Sequence, residues 1–210
     1  INSETLTLSG SGTVTSADVG TSKTITVGSL ALSDGTGTAS NYTITGGTHT
    51  LDVTQAVLSS SGSRTYDATT TAAAADQTLS GLINSETLTL SGSGTVTSAD
   101  VGTSKTITVG SLALSDGTGT ASNYTITGGT HTLDVTQAVL SSSGSRTYDA
   151  TTTAAAADQT LSGLINSETL TLSGSGTVTS ADVGTSKTIT VGSLALSDGT
   201  GTASNYTLTG

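Results

Sequence analysis

Apolar residues occupy alternate positions in short runs along this chain: Leu6 and Leu8, Ile25 and Val27, Leu30 and Leu32, Tyr42 and Ile44, Leu51 and Val53. A spacing of two sends successive side chains to opposite faces of an extended backbone, so each run predicts a strand with one face turned inward. The β-branched Thr residues that fill many alternate positions suit the outward pleat. Between the runs lie the clusters SGSG, SDGTG and TGG, whose residues tolerate the positive φ that tight turns need.

The pattern predicts about seven strands per period, over residues 4–9, 12–16, 22–33, 41–46, 48–58, 63–66 and 77–80. Gly28 interrupts the long third run and shifts its inward phase from Ile25 and Val27 to Leu30 and Leu32, as a bulge or a crossing between sheets would. Residues 67–77 (DATTTAAAADQ) are the one segment with a helical option, with Asp67 as a candidate N-cap, but they are too short for a helix that stands alone. A strand or a single helical turn is expected there. Residues 59–63 (SSSGS) read as a flexible linker.

The whole pattern recurs. The sequence from Ile1 restarts at Ile83 and again at Ile165, a period of 82 residues, and the one difference is Leu208 where Ile44 and Ile126 stand. A catalytic site is built once from residues with distinct roles, whereas identical copies add length, valency or spacing. The expectation is therefore a mechanical or adhesive role for a piece of a longer array, since the sequence opens on Ile and stops inside its third copy.

Composition narrows the class. Fifteen acidic residues against five basic give a net charge of -10 and no basic patch, which disfavours nucleic acid and anionic membrane as partners. There is no Cys, so neither disulfides nor thiolate metal sites contribute, and no Phe, Trp, Met or Pro. The core must come from Val, Leu, Ile, Ala and five Tyr. Short strands, Gly turns and no helical periodicity predict an all-β fold: tandem small antiparallel β-sandwich modules of about 82 residues stacked end to end, each roughly 35 to 45 Å long. A β-solenoid would show a shorter sub-period.

Candidate chemistry changes this picture little. His49 and His131 share a pleat face with Leu51 and Leu133 and occur once per copy, which favours a structural role at a strand end. Asp34 and Gly35 read as a turn, because the acidic spacing of a calcium loop is missing. With one His per copy and no nucleophile elbow, no base is placed to activate a Ser or Thr, so no catalytic, cofactor-binding or metal residue is assigned and no enzyme is expected. No cofactor is required, although calcium could sit between copies if carboxylates from two of them converged. Asn41, Tyr42 and Thr43 match a glycosylation sequon, and Lys23 would be the amine of any internal amide bond. Tyr66, Tyr124 and Tyr148 are expected to be buried against Leu and Val.

Residues 64–72 (RTYDATTTA), residues 16–44 (SADVGTSKTITVGSLALSDGTGTASNYTI) and the following LDVTQA together resemble the YDG-type repeat of large secreted bacterial adhesins, in particular filamentous-haemagglutinin-like proteins exported by two-partner secretion. The chain departs from that pattern at Ala68 in place of Gly, at Asp18 where Asn is usual, and at Ser40 before Asn41. A Cβ at Ala68 argues against a left-handed backbone there. The resemblance implies module boundaries at residues 1–55 (partial, without its YDAT start), 56–137 (complete) and 138–210 (without its final strand). In the complete copy six acidic residues face only Arg64 and Lys105, which keeps neighbours soluble and mutually repelling.

The expected role is a structural stalk at the bacterial cell surface, extracellular, projecting a distal adhesive region. Its partners would be the neighbouring identical modules and, through regions outside this sequence, surface or matrix polysaccharide. The alternative is a repeated binding module for polysaccharide or ice, with the Thr pairs 5 and 7, 24 and 26, 43 and 45 forming a flat face and repetition supplying avidity.

Overall fold

The computed structural model describes residues 3–209. Among them every regular element is a short strand or a one-turn 3-10 helix, so the chain is all-β, as the alternation requires. It divides into two compact units, one of residues 1–57, 82–88 and 115–125, the other of residues 58–81, 89–114 and 126–210.

In the first unit, Leu6–Ser9 pairs antiparallel with Ala31–Asp34, opposing Leu8 to Leu32. Thr13–Val14 pairs with Gly20–Thr26, which pairs in turn with Thr50–Val53. The long run predicted over residues 22–33 is broken where its phase shifts: Gly28 takes φ +57° between Thr26 and Ala31. A Cβ there would stand 2.7 Å from the carbonyl oxygen of Ser11, so this crossing needs glycine for space as well as for conformation. Ala56–Val57 pairs in parallel with Tyr124–Thr125.

The second unit holds a four-stranded sheet in the order Gly102–Thr106, His131–Thr136, Ser59–Thr65, Gln77–Ser80. His131–Thr136 runs antiparallel to the first of these and parallel to Ser59–Thr65, with His131 opposite Ser60 and Thr136 opposite Thr65. A three-stranded sheet places Ala138–Gly144 between Gln159–Ser162 (antiparallel) and Tyr206–Leu208 (parallel). Antiparallel pairs complete the unit: Thr71–Ala73 with Ser93–Thr95, Thr153–Ala155 with Ser175–Thr177, and Leu170–Ser173 with Ala195–Asp198. Leu58, Leu133, Leu140 and Val135 are fully buried, and Val96, Ile107 and Leu112 join them. Without Phe or Trp, the core gains its size from Tyr66 and Tyr206.

Three expectations are corrected. Residues 59–63 are not a linker but the inner part of the Ser59–Thr65 strand, with Ser60 buried. Flexible composition yields to pairing on both edges, and small side chains are what the position demands: a Cβ at Gly62 would lie 1.6 Å from the carbonyl oxygen of Asp76. Asp67 caps no helix. The turn in its segment is the 3-10 helix Ala74–Asp76, whose N-cap is Ala73, while the Asp67 carboxylate accepts the Thr69 N–H at 2.9 Å and pairs with Arg64. Ala68 is left-handed after all, at φ +59°. The Asp67 bond to the amide two residues on closes an Asx-type turn around it, which offsets the penalty of its Cβ.

Candidate functional site

The chemistry-bearing side chains gather where one copy of the sequence meets the next. In the second unit the 3-10 turn Ala203–Asn205 is fixed by Asp198, whose carboxylate accepts the Ala203 N–H at 2.7 Å. That turn presents Asn205. Its Oδ1 accepts the Val101 N–H at 2.9 Å and its Nδ2 donates to Asp100 Oδ1 at 2.9 Å, so one amide reads both partners of the loop from the preceding copy. The loop is itself held by Lys105, whose ammonium donates to Ser98 Oγ at 3.0 Å and to the Asp100 carbonyl. Asn205 is 1 % exposed and Val101 is half-buried, so the bond to the Val101 amide is the more sheltered of the two, whereas Asp100 is exposed and its bond reaches the surface.

Gln137 adds a second clasp, its Nε2 donating to the carbonyls of Ser204 at 3.1 Å and Tyr206 at 2.9 Å. A third forms around Glu168. It accepts from Tyr66 Oη at 2.8 Å and from Tyr206 Oη, while the Tyr206 hydroxyl also receives the Ile165 N–H at 3.1 Å. The Tyr66 and Tyr206 rings meet edge to face, with centroids 5.4 Å apart and planes at 76°. Burial, then the bond to Glu168, pushes the Tyr66 phenol up to about 12.

The same atoms recur in the first unit. The Ala39–Asn41 and Ala121–Asn123 turns are fixed by Asp34 and Asp116. Asn123 Oδ1 accepts the Val19 N–H at 2.9 Å and Nδ2 donates to Asp18 at 2.9 Å. Gln55 donates to the carbonyls of Ser122 at 3.1 Å and Tyr124 at 2.9 Å. Tyr124 Oη donates to Glu86 and accepts the Ile83 N–H at 3.2 Å. The bond from Asn123, then one from Ser16, holds the Asp18 carboxyl below its usual range.

The residues singled out in the sequence fall as follows. His131 is buried in the second unit, its Nε2 2.8 Å from the Ile126 carbonyl and its Nδ1 2.9 Å from Ser60 Oγ, which also reaches Gln77. Nε2 donates to the Ile126 carbonyl while Nδ1 meets the Ser60 hydroxyl: a polar brace across two parallel strands. His49 bonds the Ile44 carbonyl at 2.7 Å. Asp34 shapes a turn, and Lys23 holds the carbonyl of Ser16 at 2.7 Å. Among the described residues no three His, Asp or Glu side chains group as metal ligands. Tyr66 and Tyr124 are buried, but Tyr148 is 60 % exposed, a correction: Tyr66 is covered by Tyr206 and Glu168 of the next copy, whereas no such cover lies on Tyr148 among the described residues.

Alternation of apolar residues could not reveal Asn123, Asn205, Gln55 or Gln137, because their partners lie 67 to 105 residues away. The one available signal was a buried-strand register broken by an Asn-Tyr pair in every copy.

No curated protein and no solved structure matches the chain. The sequence profile described as YDG domain matches it three times, over residues 1–51, 49–133 and 130–210. With these matches running from end to end, the chain belongs to the YDG domain family as three tandem repeats.

Proposed function

We propose that this chain is a structural spacer of a secreted bacterial adhesin, extracellular and at the cell surface, whose repeats hold a distal adhesive region away from the cell. The single observation that carries the reading is the recurrence of the joint: Asn123 with Asp18 and Val19, then Asn205 with Asp100 and Val101, in the same geometry. A joint that repeats with the sequence can be propagated by adding copies, and adding copies changes length without inventing a new surface. The partners are then the adjoining repeats. Part of the threonine-rich face is also committed internally, since the hydroxyls of Thr5 and Thr36 lie 3.2 Å apart and those of Thr169 and Thr200 likewise, which supports a spacer over a free binding face.

The test is in-register deletion and insertion of 82 residues in the parent protein, together with binding assays on the three-repeat chain. Adhesion should fall gradually with copy number, and the three-repeat chain should not attach to cells or polysaccharide at micromolar concentration. Saturable, copy-dependent attachment of this chain to a defined glycan would replace the spacer with a repeated binding module.

A further inference from the structure

In chain order, the first and last strands of the four-stranded sheet are its two inner strands. Ser59–Thr65 and His131–Thr136 lie side by side, with Gln77–Ser80 on the far edge of the first and Gly102–Thr106 on the far edge of the second. They run parallel over six residue pairs, from His131 opposite Ser60 to Thr136 opposite Thr65. The chain therefore enters this sheet at one end of the ladder and leaves it at the other.

Further contacts tie the same two strands together. The Ser60 N–H donates to the Thr130 carbonyl at 3.0 Å and the Tyr66 N–H to the Thr136 carbonyl at 2.8 Å, which extends the ladder at both ends. Side chains cross it as well: Thr136 Oγ1 donates to the Arg64 carbonyl at 3.2 Å, Ser59 Oγ accepts the Thr130 N–H at 3.1 Å, and Ser60 Oγ meets His131 Nδ1 at 2.9 Å.

Strand direction decides how tension acts on these bonds. Pulling the chain from both sides draws the two strands in opposite directions along their own axes, so every cross-strand bond is strained together. A pair loaded at one end would instead open one bond at a time. Sliding is also blocked. A slip of one residue would turn the buried Leu133 and Val135 outward. A slip of two would bring Ser60 or Arg64 to the place of Gly62, where a Cβ stands 1.6 Å from the Asp76 carbonyl oxygen.

We propose that the parallel ladder between Ser59–Thr65 and His131–Thr136 is a shear clamp, which resists tension transmitted along the chain and sets the force at which the segment it closes unfolds. The clamp is a property of this sheet and does not depend on the spacer reading.

The experiment pulls the 210-residue chain in optical tweezers at one loading rate. The chain has no Cys, so handles attach through paired cysteine substitutions at exposed positions. Val57→Cys with Val139→Cys loads the ladder in shear, Thr65→Cys with Val139→Cys opens it from the Thr136 end, and Val57→Cys with Thr130→Cys opens it from the His131 end. The shear pair should rupture at a force at least about twofold above either opening pair, in a single step that releases roughly 250 Å of chain. Denaturant midpoints should agree among the three variants, which separates the direction of pull from stability. If one opening pair lowers that midpoint, the other makes the comparison. A shear force below that ratio overturns the proposal, as does a first step shorter than the full release, because another segment would then yield before the ladder.

Discussion

Asn205 accepts the amide hydrogen of Val101 across 104 residues of sequence, and Asn123 accepts that of Val19 across the same interval. The interval exceeds the 82-residue period, so each bond ties a copy to its neighbour rather than to itself. A backbone donor satisfied by a single side chain makes the joint sensitive to one substitution.

Asn205→Ala should therefore leave the half-buried Val101 N–H without its partner, while the exposed Asp100 carboxylate turns to water, at a cost of about 2 kcal/mol in the second unit. Asn123→Ala should cost less, because its site is more open to water. Denaturant unfolding of the two variants gives the ranking, and exchange of the Val101 amide should accelerate in the first.

High pH should loosen the second unit through Tyr66. The folded phenol keeps its proton up to about 12 while the unfolded one releases it near 10, so its stabilisation is complete below pH 10 and is lost as pH rises to 12. The melting temperature of the native chain should fall more steeply than that of Tyr66→Phe across that window. Parallel curves would remove Tyr66 from the linkage.

Gly62→Ala should be the most damaging glycine substitution in the four-stranded sheet. Its Cβ would meet the Asp76 carbonyl at 1.6 Å, a backbone atom that cannot give way without separating the strands, and a loss of roughly 3 kcal/mol or more is expected. Gly128, at φ +87° with open space around it, should lose only about 1 kcal/mol as Ala. Thermal unfolding of both variants checks the contrast.

Removing the imidazole of His131 takes a partner from Ser60 and from the Ile126 carbonyl inside the core, so His131→Ala should cost about 3 kcal/mol. His49→Ala, at a less buried copy of the same position, should cost under about 1 kcal/mol. Equal effects would mean that burial does not distinguish the two.

The sequence by itself determined the class of fold, the period and the break at Gly28. Alternation at Leu6 and Leu8 and at Leu51 and Val53 needs only a two-sided extended backbone, and the phase shift at Gly28 marks a real interruption, because these are local consequences of side-chain direction and φ. What tertiary structure decided is which extended segments become strands and what each polar side chain does. SSSGS is read as a linker until flanking strands supply partners to both of its edges, and GTSKT is a strand at residues 102–106 but not at residues 184–188, although the letters are the same. A strand's hydrogen bonds belong to its neighbours, and those neighbours come from distant residues. For the same reason Asn205, whose equivalent Asn41 reads as a sequon at the start of a predicted strand, becomes a clasp only when Asp100 and Val101 of another copy are brought beside it.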